Sequence, residues 1–245
     1  MRFHNPMLTV DIVLPCYNEE MILKDSVSKL FSYLESQFPH KWRIIIAENC
    51  SRDNTLRVAE EIKKDYSDKV SVVTIKNKGR GGALRCAWES SNADIVSYMD
   101  ADLSTDVACF LPLIEEILSG VDIAVGNRLS PDSNVKRTLV RTMLSVTYNF
   151  LIRSVFGIRQ FSDAQCGFKA ARRECAVRLL KSVKNREWFF DTELLILAER
   201  AGLKIKQIPI SWVQSNKSSV KLLKTIIEDI KEITKLKFLL LNEKK

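Results

Sequence analysis

The chain has 245 residues, 46% of them hydrophobic, enough for a substantial core and better suited to one large α/β domain than to two small ones. A charged fraction of 28% with only 8 Gly and 6 Pro excludes a disordered or low-complexity chain, and no window approaches the ~18 uninterrupted apolar residues of a membrane span. The formal net charge of +8 favours an anionic partner: nucleic acid, a phosphorylated ligand or an anionic membrane face.

The elements alternate along the first half. TVDIVLP (9–15) reads as a buried strand, and residues 20–38 carry Leu23, Val27, Leu30, Phe31, Leu34 and Phe38 at helical spacing before Pro39. WRIIIA (42–47) is the next strand, followed by a helix over 53–66 and a third strand, VSVVTI (70–75). The glycine-rich KNKGRGG then leads into a helix over 83–91, and ADIVSYMD (93–100) is a fourth strand that ends in carboxylates. Further on, VDIAVGNR (121–128) reads as a strand, 138–156 as an apolar helix with several arginines, and QCGFKA (165–170) as a short strand. A helix over 189–201 ends at Gly202, LKIKQIPISWV (203–213) reads as one strand with an edge or bulge proline, and a basic helix occupies 219–241.

Strands alternating with helices imply right-handed crossovers and a mostly parallel, Rossmann-like central sheet flanked by helices. Without a linker in sight, residues 1–245 form one domain, with a nucleotide half (about 9–127), an acceptor half (about 128–213) and the C-terminal helix. Ligands of such sheets sit beyond the carboxyl ends of the strands. Four polar clusters fall there: Tyr17-Asn18-Glu19, Glu48-Asn49, Lys78 to Gly82, and Asp100 to Asp102.

Asp100 and Asp102 follow a buried strand, where two close carboxylates repel unless something compensates. A hard divalent cation, Mg2+ or Mn2+, bridging them to a diphosphate is the natural compensator. The alternative is a helix cap, with Thr105 or Asp106 starting the next helix and Asp102 belonging to that turn. Lys78-Gly79-Arg80-Gly81-Gly82 lies between a strand and a helix, where glycines let amides approach a phosphate. It lacks the Gly-Lys-Ser/Thr of a Walker loop, and Leu84 stands where the third Rossmann glycine belongs.

Six scattered cysteines include no C-x-x-C pair, and only His4 and His40 could join them as nitrogen ligands, so a zinc site is not expected and a reducing compartment is. The first fifteen residues lack the apolar stretch of a signal peptide, so the expected location is cytoplasmic, peripheral on the cytoplasmic membrane face. The last helix, with Leu222, Leu223, Ile226, Ile227, Ile230, Ile233 and Leu236 on one side and lysines on the other, either lies on an anionic bilayer or packs on the domain.

The segment Leu14-Pro15-Cys16-Tyr17-Asn18-Glu19-Glu20 resembles the opening of family-2 glycosyltransferases. Glu48 to Thr55, KGRGGALR, DADLSTD, Cys-Gly-Phe-Lys (166–169) and Phe190-Asp191-Thr192-Glu193-Leu194 follow in the family's order. Together they resemble the branch that makes dolichyl-phosphate sugars, nearer to its glucosyltransferases than to its mannose synthases, over about residues 9–213. The resemblance implies a GT-A fold and metal-dependent, inverting hexosyl transfer from a nucleoside-diphosphate sugar, with UDP-glucose favoured and GDP-mannose open, to a polyprenyl phosphate.

Carried over by position, Pro15, Tyr17, Asn18, Glu19, Glu48, Asn49 and Ser51 would surround the base, and Lys78, Gly79, Arg80 and Gly81 would contact the nucleotide. Asp100, Ala101 and Asp102 would serve ribose and metal, with Asp102 catalytic. Where relatives often carry Asp-Asp-Gly-Ser this chain has Glu48-Asn49-Cys50-Ser51, so uracil and guanine both stay open. Ser104 stands where mannose synthases tend to carry glutamine. A polyprenyl phosphate is already ionised and needs cations rather than a strong base, which assigns Arg128, with Arg137 or Arg141, to its phosphate. Asp163, Gln165, Trp188 and Glu193 would complete the acceptor side, with Asp191 as a base if the acceptor is an alcohol. The competing readings are transfer to a glycan or lipid-linked oligosaccharide, and a nucleic-acid-binding module. The second is disfavoured because aromatic and basic residues do not interleave.

Overall fold

In the computed structural model, which describes residues 7–66, 68–214 and 222–242, the first half folds as anticipated. The elements are β1 (Thr9–Cys16), α1 (Leu23–Gln37), β2 (Lys41–Glu48), α2 (Thr55–Asp65), β3 (Val70–Thr74), α3 (Arg80–Ser90) and β4 (Ile95–Met99). The second half adds α4 (Phe110–Leu118), β5 (Ile123–Asn127), β6 (Asn134–Lys136), α5 (Leu139–Phe156), β7 (Phe168–Arg172), α6 (Arg173–Leu180), α7 (Phe190–Arg200), β8 (Ile205–Pro209), β9 (Ser211–Val213) and α8 (Leu222–Asn242). The sequence reading leaves β6, α4 and α6 unassigned, and each is short.

Seven strands make the main sheet in the order β3-β2-β1-β4-β7-β5-β8. β7 runs antiparallel to both β4 and β5, and the other pairings are parallel. Near-continuous runs such as Ile44-Ile45-Ile46-Ala47 are buried on both faces, as a helix-covered parallel sheet requires. Helices α3, α6 and α7 touch one another on one face, while α1, α2 and α4 cover the other. Phe38 at the end of α1 meets Phe110 of α4 at a centroid distance of 5.2 Å.

The reversed strand has a consequence for function. It brings the start of β7 to the edge where the parallel strands end, with Phe168 opposite Met99. The Cys-Gly-Phe-Lys segment therefore lies beside the Asp-Ala-Asp turn, and the Asp100 amide donates to the Gly167 carbonyl at 3.1 Å.

Residues 203–213, read above as one strand, are two. β8 ends at Pro209, which has no N–H for further pairing, and β9 pairs instead with β6 in a separate two-stranded sheet. Ile210 makes the transfer, its amide donating to Ser133 Oγ and its carbonyl accepting from the Asn134 amide. Helix α3 begins at Arg80, three residues before the expected start, so the glycines lie in its first turn.

Candidate functional site

The polar clusters converge beyond the carboxyl ends of the parallel strands. The loops after β1 and β2 are tied together by side chains. Asn18, with φ 57°, donates its amide to Ser51 Oγ at 3.0 Å, and its side-chain oxygen accepts from the Arg52 amide at 2.8 Å. The Glu19 amide donates to Thr55 Oγ1 at 2.7 Å. Glu48 is buried and accepts from the Ser51 amide at 2.5 Å, which fixes the loop that would face a base. Half-buried Pro15 and Tyr17 lie at the end of β1, and Lys78 Nζ lies 3.6 Å from the centroid of the Tyr17 ring.

The glycine-rich segment differs from the expected amide cradle. The Gly79 amide donates to Asn49 Oδ1 at 2.6 Å and the Gly82 amide to the Arg186 carbonyl at 2.9 Å, so these two donors are spent inside the protein. The glycines serve close packing: a Cβ at Gly81 would strike the Phe190 side chain at the start of α7. What the segment delivers to the edge is its cations, exposed Lys78 and buried Arg80.

Arg80 spans two carboxylates, with Nη2 2.7 Å from Asp100 Oδ1 and Nη1 2.7 Å from Asp191 Oδ2. Asp191 also accepts from Tyr98 and, at 2.9 Å, from Lys169 Nζ. Burial opposes the Asp191 charge, yet Lys169 and Arg80 outweigh it and hold the carboxyl below its usual range. A carboxylate so engaged is a poor proton acceptor, which counts against the base role expected for an alcohol acceptor. Burial raises the pKa of Asp100, with Arg80 opposing and Asp102 adding to the rise.

Asp102 is half-buried and accepts from the Ser104 amide at 3.0 Å. Leu103 follows with φ 48°, a left-handed turn that costs a non-glycine residue about 1 kcal/mol and bends the chain back at once. The next helical segment is capped by Asp106, which accepts from the Ala108 amide at 3.0 Å. Asp102 is thus not needed as a cap. Ala101 is buried, and a Cβ at Gly167 would meet the Asp100 carboxylate, so that carboxylate keeps its present place only against glycine. Two carboxylates of hard oxygen donors suit a divalent cation that draws its remaining ligands from a diphosphate. Among the described residues no group of three or more His, Cys, Asp and Glu is placed to hold a metal without such help.

On the acceptor side, Arg128 forks onto buried Asp163 at 2.8 Å through both Nε and Nη2. Burial disfavours the Arg128 charge, but Asp163 more than restores it and the pKa rises. Among the described residues, half-buried Arg137 bonds only to hydroxyls, Thr142 Oγ1 at 3.0 Å and Ser145 Oγ at 3.1 Å, and none of their carboxylates pairs with it. Burial and the neighbouring Arg128 depress its pKa, with Asp163 and Cys166 opposing. Arg141 is half-buried on α5.

Trp188 is 42% exposed, and the centre of its ring lies 5.3 Å from the Arg80 guanidinium carbon. Gln165 points to α8 rather than into the edge, donating to Asp229 Oδ2 at 3.0 Å. Glu193 is buried and accepts from the Lys184 and Asn185 amides, so it shapes the loop that carries Trp188 and does not reach the acceptor side. Lys169 and Tyr98 are functional neighbours that the sequence reading missed. The signal was present in Gly-Phe-Lys-Ala-Ala, a lysine inside an apolar run.

Comparison with known proteins agrees with this geometry. The sequence profile described as Glycosyl transferase family 2 matches residues 11–186. The chain is 35% identical over 221 residues to Glycosyltransferase AglD of Haloferax volcanii, covering 89% of this chain but only 35% of that protein. It is 34% identical over 230 residues to the human dolichyl-phosphate beta-glucosyltransferase, covering 86% of this chain and 69% of that enzyme. Among solved structures, glucosyl-3-phosphoglycerate synthase from Mycobacterium tuberculosis, crystallised with Mn2+, UDP-glucose and phosphoglyceric acid, superposes with a TM-score of 0.69. That match, at 21% identity over 94% of this chain and 79% of the other, supports the GT-A fold. The chain is a glycosyltransferase of family 2, in the branch that holds the dolichyl-phosphate β-glucosyltransferases.

Proposed function

We propose that the chain transfers glucose from UDP-glucose to a polyprenyl phosphate, dolichyl phosphate being the type named for its relatives, with inversion at the anomeric carbon. The observation that carries this reading is the state of the acceptor-side acids. Asp163 is forked to Arg128, and Asp191 is shared among Arg80, Lys169 and Tyr98. Neither is available to deprotonate an alcohol, whereas a lipid phosphate arrives already ionised. This favours a phosphate acceptor over a glycan hydroxyl.

The residues divide the work. Arg137, with no carboxylate partner among the described residues, takes the acceptor phosphate, and Arg128 flanks it. Lys78 and Arg80 face the donor diphosphate, and Trp188 offers an exposed ring to the sugar. Asp100 and Asp102 would hold a Mg2+ or Mn2+ ion, which when bound supplies positive charge to the departing diphosphate. An acceptor phosphate oxygen bonds to the anomeric carbon as the bond from that carbon to the diphosphate breaks, so UDP leaves with its electron pair and no proton moves.

The acceptor's chain requires a membrane surface nearby. Helix α5 starts two residues after Arg137 and exposes Leu139, Met143, Val146 and Phe150 in one stripe, with Arg141 and Arg153 on the same helix. No described helix is long and apolar enough to cross a membrane. A stripe of this kind beside arginines suits the interface of an anionic bilayer, with the phosphate of a lipid at the level of Arg137. The test is calorimetric titration of UDP-glucose, GDP-mannose and UDP-N-acetylglucosamine in the presence of Mn2+. Preferential binding of UDP-glucose supports the reading, and preference for GDP-mannose overturns the donor assignment.

A further inference from the structure

Four charges alternate in sign across the site. Asp100 pairs with Arg80, Arg80 with Asp191, and Asp191 with Lys169, at 2.7, 2.7 and 2.9 Å. Lys169 is fully buried and also donates to the Cys166 carbonyl at 2.6 Å and the Tyr98 hydroxyl at 3.0 Å, so it cannot leave the set. The Arg80 guanidinium carbon lies 5.1 Å from the Tyr98 ring centroid and 5.3 Å from that of Trp188. Rings on two sides and carboxylates at both ends of its fork hold the guanidinium between Asp100 and Asp191 while no other anion is present.

The quartet is neutral as a whole. Asp102 stands outside it, with no described cation within ion-pair distance. A divalent cation reaching the Asp100–Asp102 turn therefore meets about one net negative charge instead of two, and must contend with Arg80 for Asp100.

We propose that Arg80 is a positioning residue that competes with the divalent cation for Asp100, held in place by Asp191 and Lys169, so that the chain binds the cation weakly until a diphosphate joins it. The diphosphate brings additional oxygen donors and draws the guanidinium toward its own negative charge, which releases Asp100. Coupling of this kind is reciprocal: nucleotide strengthens cation binding by the same factor as cation strengthens nucleotide binding. The proposal rests on the donor-site reading above, and adds to it a reason for the buried lysine and for the acid at the start of α7.

The experiment titrates Mn2+ into the purified chain with and without UDP, reading free Mn2+ by electron paramagnetic resonance with no sugar or acceptor present. Wild type should bind Mn2+ weakly alone and much more tightly with UDP. Arg80→Met should bind Mn2+ alone about tenfold more tightly than wild type, and Arg80→Lys, which keeps the charge, should stay near wild type. Arg80→Met that binds Mn2+ alone no better than wild type, while still binding it with UDP, overturns the proposal. Should Arg80→Met fail to fold, the two turn acids decide. Asp100→Asn should change Mn2+ affinity without UDP by less than about threefold while Asp102→Asn abolishes it, and equal losses overturn the proposal. Wild type that binds no Mn2+ even with UDP overturns the donor-site reading and the proposal with it.

Discussion

The Arg128 guanidinium grips the Asp163 carboxylate through two 2.8 Å hydrogen bonds, and the Arg128 amide adds a third donation to the same carboxylate at 3.0 Å. Asp163 is fully buried and most of the Arg128 side chain is too, so each is the other's counter-ion in a largely desolvated place. Burial opposes the Asp163 charge, but Arg128 outweighs it and lowers the pKa. A depressed carboxyl stabilises the fold above the unfolded carboxyl's pKa and loses that contribution as pH falls through the folded value. Asp163→Asn should cost about 3 kcal/mol in urea unfolding at neutral pH, since it leaves a buried guanidinium uncompensated. A loss within about 0.5 kcal/mol would mean that Arg128 has another anion in reach.

Asp229 gives the chain a second pH response, of opposite sign. Burial pushes its carboxyl up to about 6, with Gln165 opposing and Glu228 and Glu232 adding repulsion, and Tyr148 of α5 faces the same cluster. With the docked pKa above the undocked one, the docked state holds its proton more firmly. The contribution is complete below the ordinary carboxyl range and is lost as pH rises through about 6. Hydrogen exchange over 228–240, corrected for intrinsic rates, should show greater protection at pH 5 than at pH 7.5. Asp229→Asn should remove the difference, and equal wild-type protection at both values would contradict the assignment.

Two glycines should fail in different ways. At Gly167 an added Cβ meets only the tip of the Asp100 side chain, which can turn aside. Gly167→Ala should therefore melt within a few degrees of wild type while transfer falls by about tenfold or more, because Asp100 is displaced. At Gly81 the added Cβ strikes Phe190, fully buried and packed against Trp88. Gly81→Ala should lose about 1–3 kcal/mol in stability. Calorimetric melting beside initial rates separates the two, and a stable, active Gly167→Ala would dissociate the Cys-Gly-Phe-Lys segment from the site.

The α5 stripe makes the membrane reading measurable. Met143 and Phe150 are each 70% exposed, so replacing both with Glu should leave the melting temperature unchanged. Sedimentation with vesicles containing phosphatidylserine should weaken by about tenfold, since apolar burial is lost and like charge is added. Unchanged sedimentation would place the bilayer contact elsewhere.

Much of the nucleotide half was legible because strands such as 42–47 and 70–75 are continuous β-branched runs and their polar ends share one edge by topology. The second half resisted for physical reasons. β7 runs against its neighbours, and no periodicity in Gly-Phe-Lys-Ala-Ala announces direction. Pro209 splits what reads as one strand, and the destination of the second piece depends on β6, three residues long. Among site residues, Lys78, Arg80, Asp100, Asp102, Trp188 and Asp191 share the edge that the motifs indicated. Glu193 and Gln165 were placed there by proximity in sequence and turn to other partners. Lys169 escaped notice because its role exists only once Asp191, 22 residues away, packs against it. The final helix was read over 219–241; residues 219–221 lie outside the described residues, and α8 begins at Leu222.

The most direct test of the account offers the purified chain UDP-glucose and Mg2+ or Mn2+ with either dolichyl phosphate or unphosphorylated dolichol, reading the lipid extract by mass spectrometry. The account predicts a glucosyl phosphodolichol with the phosphate and no product with the alcohol, both outcomes following from engaged acids at Asp163 and Asp191. Glucosylated dolichol without phosphate, or transfer to a glycan with neither lipid used, would contradict it.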